Sequence, residues 1–222
     1  MTQPAKRIQS RRILATGGVL LLLGSMIGLG LLSNRPAPPR SPDDPQPLLH
    51  LFRRGNPAHL LDSLPLQVSD QVRFFGEIPP DLKATFFLVE PSGEVREWPA
   101  HFVQRVGITG LMTDHVIAPA SENEQLPIGK SLGTRLYLLC ASRHTAPGKE
   151  LLQPLLRGGS WPVMPPQVMM RLTRTKFGPI CSRGAKLPDP ETLKAIEERL
   201  LQLAEQLRGK VDFYAGVAVQ VK

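Results

Sequence analysis

TFFLVEPSGEVREW, residues 85–98, decides the fold. Thr85 to Val89 is apolar on both faces, as a strand covered on both sides must be. Glu90-Pro91-Ser92-Gly93 is turn chemistry, because proline presets φ and glycine accepts a positive one. Glu94 to Trp98 returns as a shorter, more polar strand. The stretch therefore predicts an antiparallel hairpin with its inner strand central in a sheet.

Upstream, Val72, Phe74, Gly76 and Ile78 alternate with Arg73, Phe75 and Glu77, the period of a strand with one buried face. Downstream, Val103, Val106 and Ile108, then Val116 and Ile117, mark short strands. Thr134 to Ser142 (TRLYLLCAS) sets Leu136, Leu138 and Cys140 on one face and Tyr137, Leu139 and Ala141 on the other. Both faces are apolar, so this strand is expected deep in the sheet. Val168, Met170 and Leu172 predict another, and Val211, Phe213, Ala215, Val217, Val219 and Val221 a last one.

One helix is expected between them. Asp189 can accept from free amides, and Pro190 suits the first helical position. Leu193, Ile196, Leu200, Leu203 and Leu207 then recur at spacings of three and four as one apolar stripe, and Gly209 fits the stop. Two heptads are too few for a sustained coiled coil, so the stripe is expected to pack on the domain's own sheet. The fold class expected is α+β, mostly antiparallel sheet with one long C-terminal helix, preceded by one transmembrane helix.

That last expectation rests on residues 13–32, ILATGGVLLLLGSMIGLGLL, 20 residues without a charge. A helix of this length spans about 30 Å, the thickness of the hydrocarbon core. Lys6, Arg7, Arg11 and Arg12 precede it, and Arg35 and Arg40 follow. The bias of positive charge keeps the tail, residues 1–12, in the cytoplasm and places the rest outside it. This gives a single-pass protein of a bacterial inner membrane, with the bilayer as partner. A cleaved signal peptide is the alternative, but its apolar region would be shorter. Gly24 and Gly28 form a GxxxG that could let two such helices pack as a homodimer. Residues 33–47 hold six prolines and read as an extended spacer, and residues 48–222 as the folded domain.

The 222 residues carry a formal charge of +8, of which six units lie before residue 41. The remainder is close to neutral, so a nucleic-acid-binding regulator is disfavoured. No catalytic, cofactor-binding or metal-binding residue is assigned. His50, His59, His101, His115 and His144 show no ligand spacing, and no Walker loop or GxSxG is present. Asp114-His115 reads as a solvated loop. Cys140 with a nearby histidine is the one route to an enzyme, a thiol nucleophile, and its place in an apolar strand argues against it. Cys140 and Cys181 are the only two cysteines, and either a disulfide between them or two separate buried thiols is open.

The run LQVSDQVRFFGEIP–ATFFLVEPSGEVREWP also resembles a bacterial domain of unknown function found beside protein kinases and caspase-like peptidases. Ser69-Asp70-Gln71-Val72, Gly93-Glu94-Val95 and Trp98-Pro99 carry the likeness. Leu139-Cys140-Ala141-Ser142-Arg143, Trp161-Pro162 and Phe213 to Ala218 look like its continuation, over residues 60–220. The resemblance implies a non-catalytic accessory or sensory domain. The function expected is therefore binding or regulating a protein partner at the cell envelope. Trp98, Trp161 and Met164 are the candidate contacts, with burial in the core as their other reading.

Overall fold

The computed structural model describes residues 49–108, 111–121, 124–152, 160–182 and 184–222. They form two antiparallel sheets and one helix in three layers. The front sheet comprises β1 (Leu49–Arg53), β2 (Asn56–Ala58), β3 (Gln71–Ile78), β6 (His101–Ile108), β7 (Leu111–Ala118) and the two-residue β8 (Leu126–Pro127). Its order is β2-β1-β3-β7-β6, with β8 also pairing on β3. The central sheet comprises β4 (Lys83–Val89), β5 (Val95–Pro99), β9 (Gly133–Ser142), β10 (Val168–Thr173), β11 (Phe177–Cys181) and β12 (Phe213–Val221), in the order β11-β10-β12-β9-β4-β5.

The central sheet is covered on both faces, which is why its strands lack a polar side. Leu136, Leu138 and Cys140 pack with α1 (Pro190–Leu207), whereas Tyr137, Leu139 and Ala141 pack against the front sheet. β12 divides the same way: Ala215, Val217, Val219 and Val221 face the front sheet, and Tyr214 and Ala218 face the helix layer. The hairpin forms as its residues require. Thr85 pairs with Pro99 and Val89 with Val95, and Gly93, at φ +87°, closes the turn by donating to the Glu90 carbonyl at 2.8 Å. In α1, Asp189 accepts from the Glu191 amide at 3.0 Å, and Leu193, Ile196, Leu200, Leu203, Ala204 and Leu207 are buried. Gly209 follows at φ +82°.

Two features bring the sheets together. The chain leaves the central sheet at Pro99 and joins the front sheet at His101, closing one side of the sandwich across Ala100. Gly76 faces inward from β3, where a Cβ would collide with the Leu139 side chain. The absence of a side chain there is what allows that close approach.

The expected fold class needs correction. The mostly antiparallel sheet and the one C-terminal helix are found, with the strands divided between two sheets whose facing sides make the larger core, but no transmembrane helix is found among the described residues. No helix among the described residues is long and apolar enough to cross a membrane. The expected span at 13–32, Gly24 and Gly28 within it, and the spacer at 33–47 lie outside the described residues.

Candidate functional site

The residues singled out in the sequence settle into structural positions. Trp161 is 5% exposed and Met164 2%, both in the cluster between the central sheet and α1. Arg199 of the helix lies over the Trp161 ring at 5.9 Å. Trp98 is partly buried on the sandwich side, 5.2 Å from the Phe74 ring. All three pack within the domain, the other reading given to them. Leu152, from the stretch after β9, is buried in the same cluster as Trp161 and Met164.

Cys140 and Cys181 are free thiols. β9 and β11 are separated by β12 and β10, three strand spacings of about 4.8 Å each. A disulfide needs Cα atoms within about 7 Å, so the bridge is geometrically excluded. Cys140 is fully buried, and desolvation pushes its thiol far above the ordinary range. His101 and His115 belong to the front sheet, while Cys140 faces the helix layer. The thiol-enzyme alternative is left without a poised nucleophile. Titration with a thiol reagent is accordingly expected to find one reactive group, Cys181, in the native protein and two after denaturation. A native count of two would contradict the burial of Cys140.

Asp114 is not in a solvated loop. It is 5% exposed on β7, accepts from Arg105 Nε at 2.6 Å, and receives the Asp81 amide at 3.1 Å. The Arg105 hydrogen bonds hold its carboxyl below the usual carboxylate range. His115 Nε2 lies 3.2 Å from Glu77, and its ring meets Phe75 edge-on. Phe75 in turn stacks on His50 at 5.0 Å. Partial burial, and then the charge of Arg73, lower the His50 pKa. Among the described residues no group of three or more His, Cys, Asp or Glu is arranged to hold a metal ion.

Two features stand apart from this internal packing. The first is β6, the outer strand of the front sheet. It is eight residues long and, among the described residues, has a paired neighbour on one side only. Phe102 is 61% exposed, Val103 41%, and Met112 on the adjoining β7 49%. The other three edges are shorter or interrupted: β2 has three residues including Pro57, β11 contains Gly178 and Pro179, and β5 has five residues with Glu97 taking the Lys149 amide at 2.7 Å. Short strands, prolines and glycines blunt an edge; uncovered apolar residues on a long one do not.

The second is a cavity of about 510 Å³ on the opposite side of the sandwich. There residues of β1 and β2 of the front sheet and of β10, β11 and β12 of the central sheet line one space, with Leu60 and Leu61 from the segment that crosses to pair Leu66 with Val221. The segment after β2, which supplies Leu60 and Leu61 to the lining, is held by side-chain hydrogen bonds. Arg53 grips Asp70 with two hydrogen bonds of 2.9 and 2.7 Å and donates to the Ser63 carbonyl at 2.9 Å. Asp70 also accepts from the Gln67 amide. Sequence reading passed over both features, because an edge and a cleft exist only once the strand order is known. Comparison with protein families, with curated proteins and with solved structures finds no match to this chain.

Proposed function

We propose that the folded part of the chain is a binding module that takes up a protein partner by strand addition at β6. The single observation that carries this reading is the uncovered apolar edge at Phe102, Val103 and Met112. An incoming extended segment completes the unused backbone hydrogen bonds of an edge strand, and side chains beside it supply selectivity. The register shift between Phe102 and Gln104 restricts where such a segment can lie flat. The partner presents an apolar strand. This is the accessory role that the resemblance to the kinase- and peptidase-associated domain implies.

The test places a photo-activatable phenylalanine analogue in the full chain, in the cells that make it. Position 102 is expected to cross-link to a discrete protein. Leu187, comparably exposed at 65% and outside any strand, serves as the control and is expected to stay silent. Val103→Lys is expected to weaken capture about tenfold or more, as loss of an interface anchor does. Equal yields at both positions, or capture unchanged by Val103→Lys, would refute the reading.

A further inference from the structure

The cavity is independent of β6 and has a chemistry of its own. Leu49 and Leu51 of β1, Met169 of β10 and Val217 of β12 line its inner part and are buried. Pro57 and His59 line it too and are exposed, so the lining runs from the core to the surface. Packed interiors leave few voids larger than a water molecule. At about 510 Å³ this space is far larger, and it falls in the range of roughly 300–1,000 Å³ in which proteins enclose small molecules. The polar groups of the lining offer no unmatched charge. Arg171 is engaged by a partner of its own. His59 lies 3.4 Å from Asp62. Partial burial, and then the charge of Arg73, hold His50 toward its neutral form. No aspartate or glutamate is among the described residues that line the space.

We propose that this cavity binds an uncharged small molecule that is mostly hydrocarbon. Leu49 and Leu51 bring apolar side chains from the front sheet, and Met169 and Val217 bring them from the central sheet. A hydrocarbon between them leaves water and makes the dispersion contacts that an empty space forfeits. An ionised head drawn in with it would shed its water and meet no free counter-charge, a cost that an uncharged end largely escapes. The lining thus selects against charge of either sign, and its two apolar walls supply the attraction.

The experiment adds a photo-reactive diazirine analogue of decanol to the full-length protein and maps the label by mass spectrometry. Saturable label is expected on the peptides that carry Leu49 to Leu51 and Met169. Unlabelled decanol is expected to remove it at about tenfold lower concentration than decanoate or decyltrimethylammonium, the two ions that pay for lost hydration. Ile180→Trp adds volume at a half-buried lining position and is expected to abolish this label while the thermal unfolding midpoint stays near wild type. If Ile180→Trp unfolds the chain, Ala58→Phe, at another half-buried lining position, replaces it. No saturable label on those peptides, or label that survives the filling variant, would overturn the site. Equal competition by decanol and the two ions would overturn the preference for an uncharged ligand.

Discussion

Replacing Arg135 by methionine is expected to destabilise the folded chain by about 3–5 kcal/mol, the cost of leaving a buried charge without its partner. Arg135 has no solvent exposure, although it is the third residue of a strand that reads as apolar. Its Nε lies 3.0 Å from Glu90 Oε2, and Glu90 is itself 2% exposed. Its Nη atoms donate to the carbonyls of Ile128 and Ser131. One side chain thus joins the turn of the β4–β5 hairpin, the loop before β9 and β9 itself. Arg96, 3.7 Å from the other Glu90 oxygen and half exposed, is too distant and too wet to take over. Equilibrium urea unfolding of the wild type, Arg135→Met, Glu90→Leu and the double variant checks this. The double variant is expected to lose much less than the sum of the singles, because it buries no unpaired charge. A loss under about 1 kcal/mol for Arg135→Met would mean that the pair is not buried as described.

Phe74→Ala is expected to cost a similar amount, about 3–5 kcal/mol, for a different reason. Phe74 is the inward residue at the middle of β3. Its ring lies 5.1 Å from Phe86, 5.2 Å from Trp98 and 5.9 Å from Tyr137, and the last of these has its hydroxyl pushed up to about 12 by burial. Truncation removes the ring that bridges the two sheets and leaves a void that stiff strands on either side cannot close. The adjacent Phe75 points to the outer face, where it touches His50 and His115. Phe75→Ala is expected to cost about 1 kcal/mol, the scale of an outward cross-strand pair. The contrast between neighbours tests register, since a slip of one residue would exchange their faces. Comparable losses at 74 and 75 in chemical denaturation would contradict the register in which Phe74 opposes Leu49 and Ala118.

Local pattern was legible wherever the physics is local. The α1 stripe, its Asp189 cap and its Gly209 stop depend on residues within a few positions of one another, and each is found where expected. The same holds for the β4–β5 hairpin, whose turn residues dictate its closure, and for the two-sided burial of β9. Other elements left fainter traces. β1 and β2 are short and interrupted by Arg54, Gly55 and Pro57, and β11 contains Gly178 and Pro179, residues that argue against a strand when read singly. Asp114 reads as a surface acid because its partners, Arg105 and the Asp81 amide, come from outside its own strand.

The amino-acid sequence by itself determined the helix, the β4–β5 hairpin and the longer strands such as β3, β9 and β12, and which of their side chains turn inward, because periods of 2 and 3.6 are properties of the chain alone. Only the tertiary structure decided which strands share a sheet. That pairing joins residues as far apart as Gly133 and Val221, and alternation within one strand carries no information about its neighbour. From it follow the burial of Arg135, the packing of Trp161 and Met164, the separation of Cys140 from Cys181, the bare edge at β6 and the cavity at the other side. Each is a relation between distant segments, set by which faces can be removed from water together.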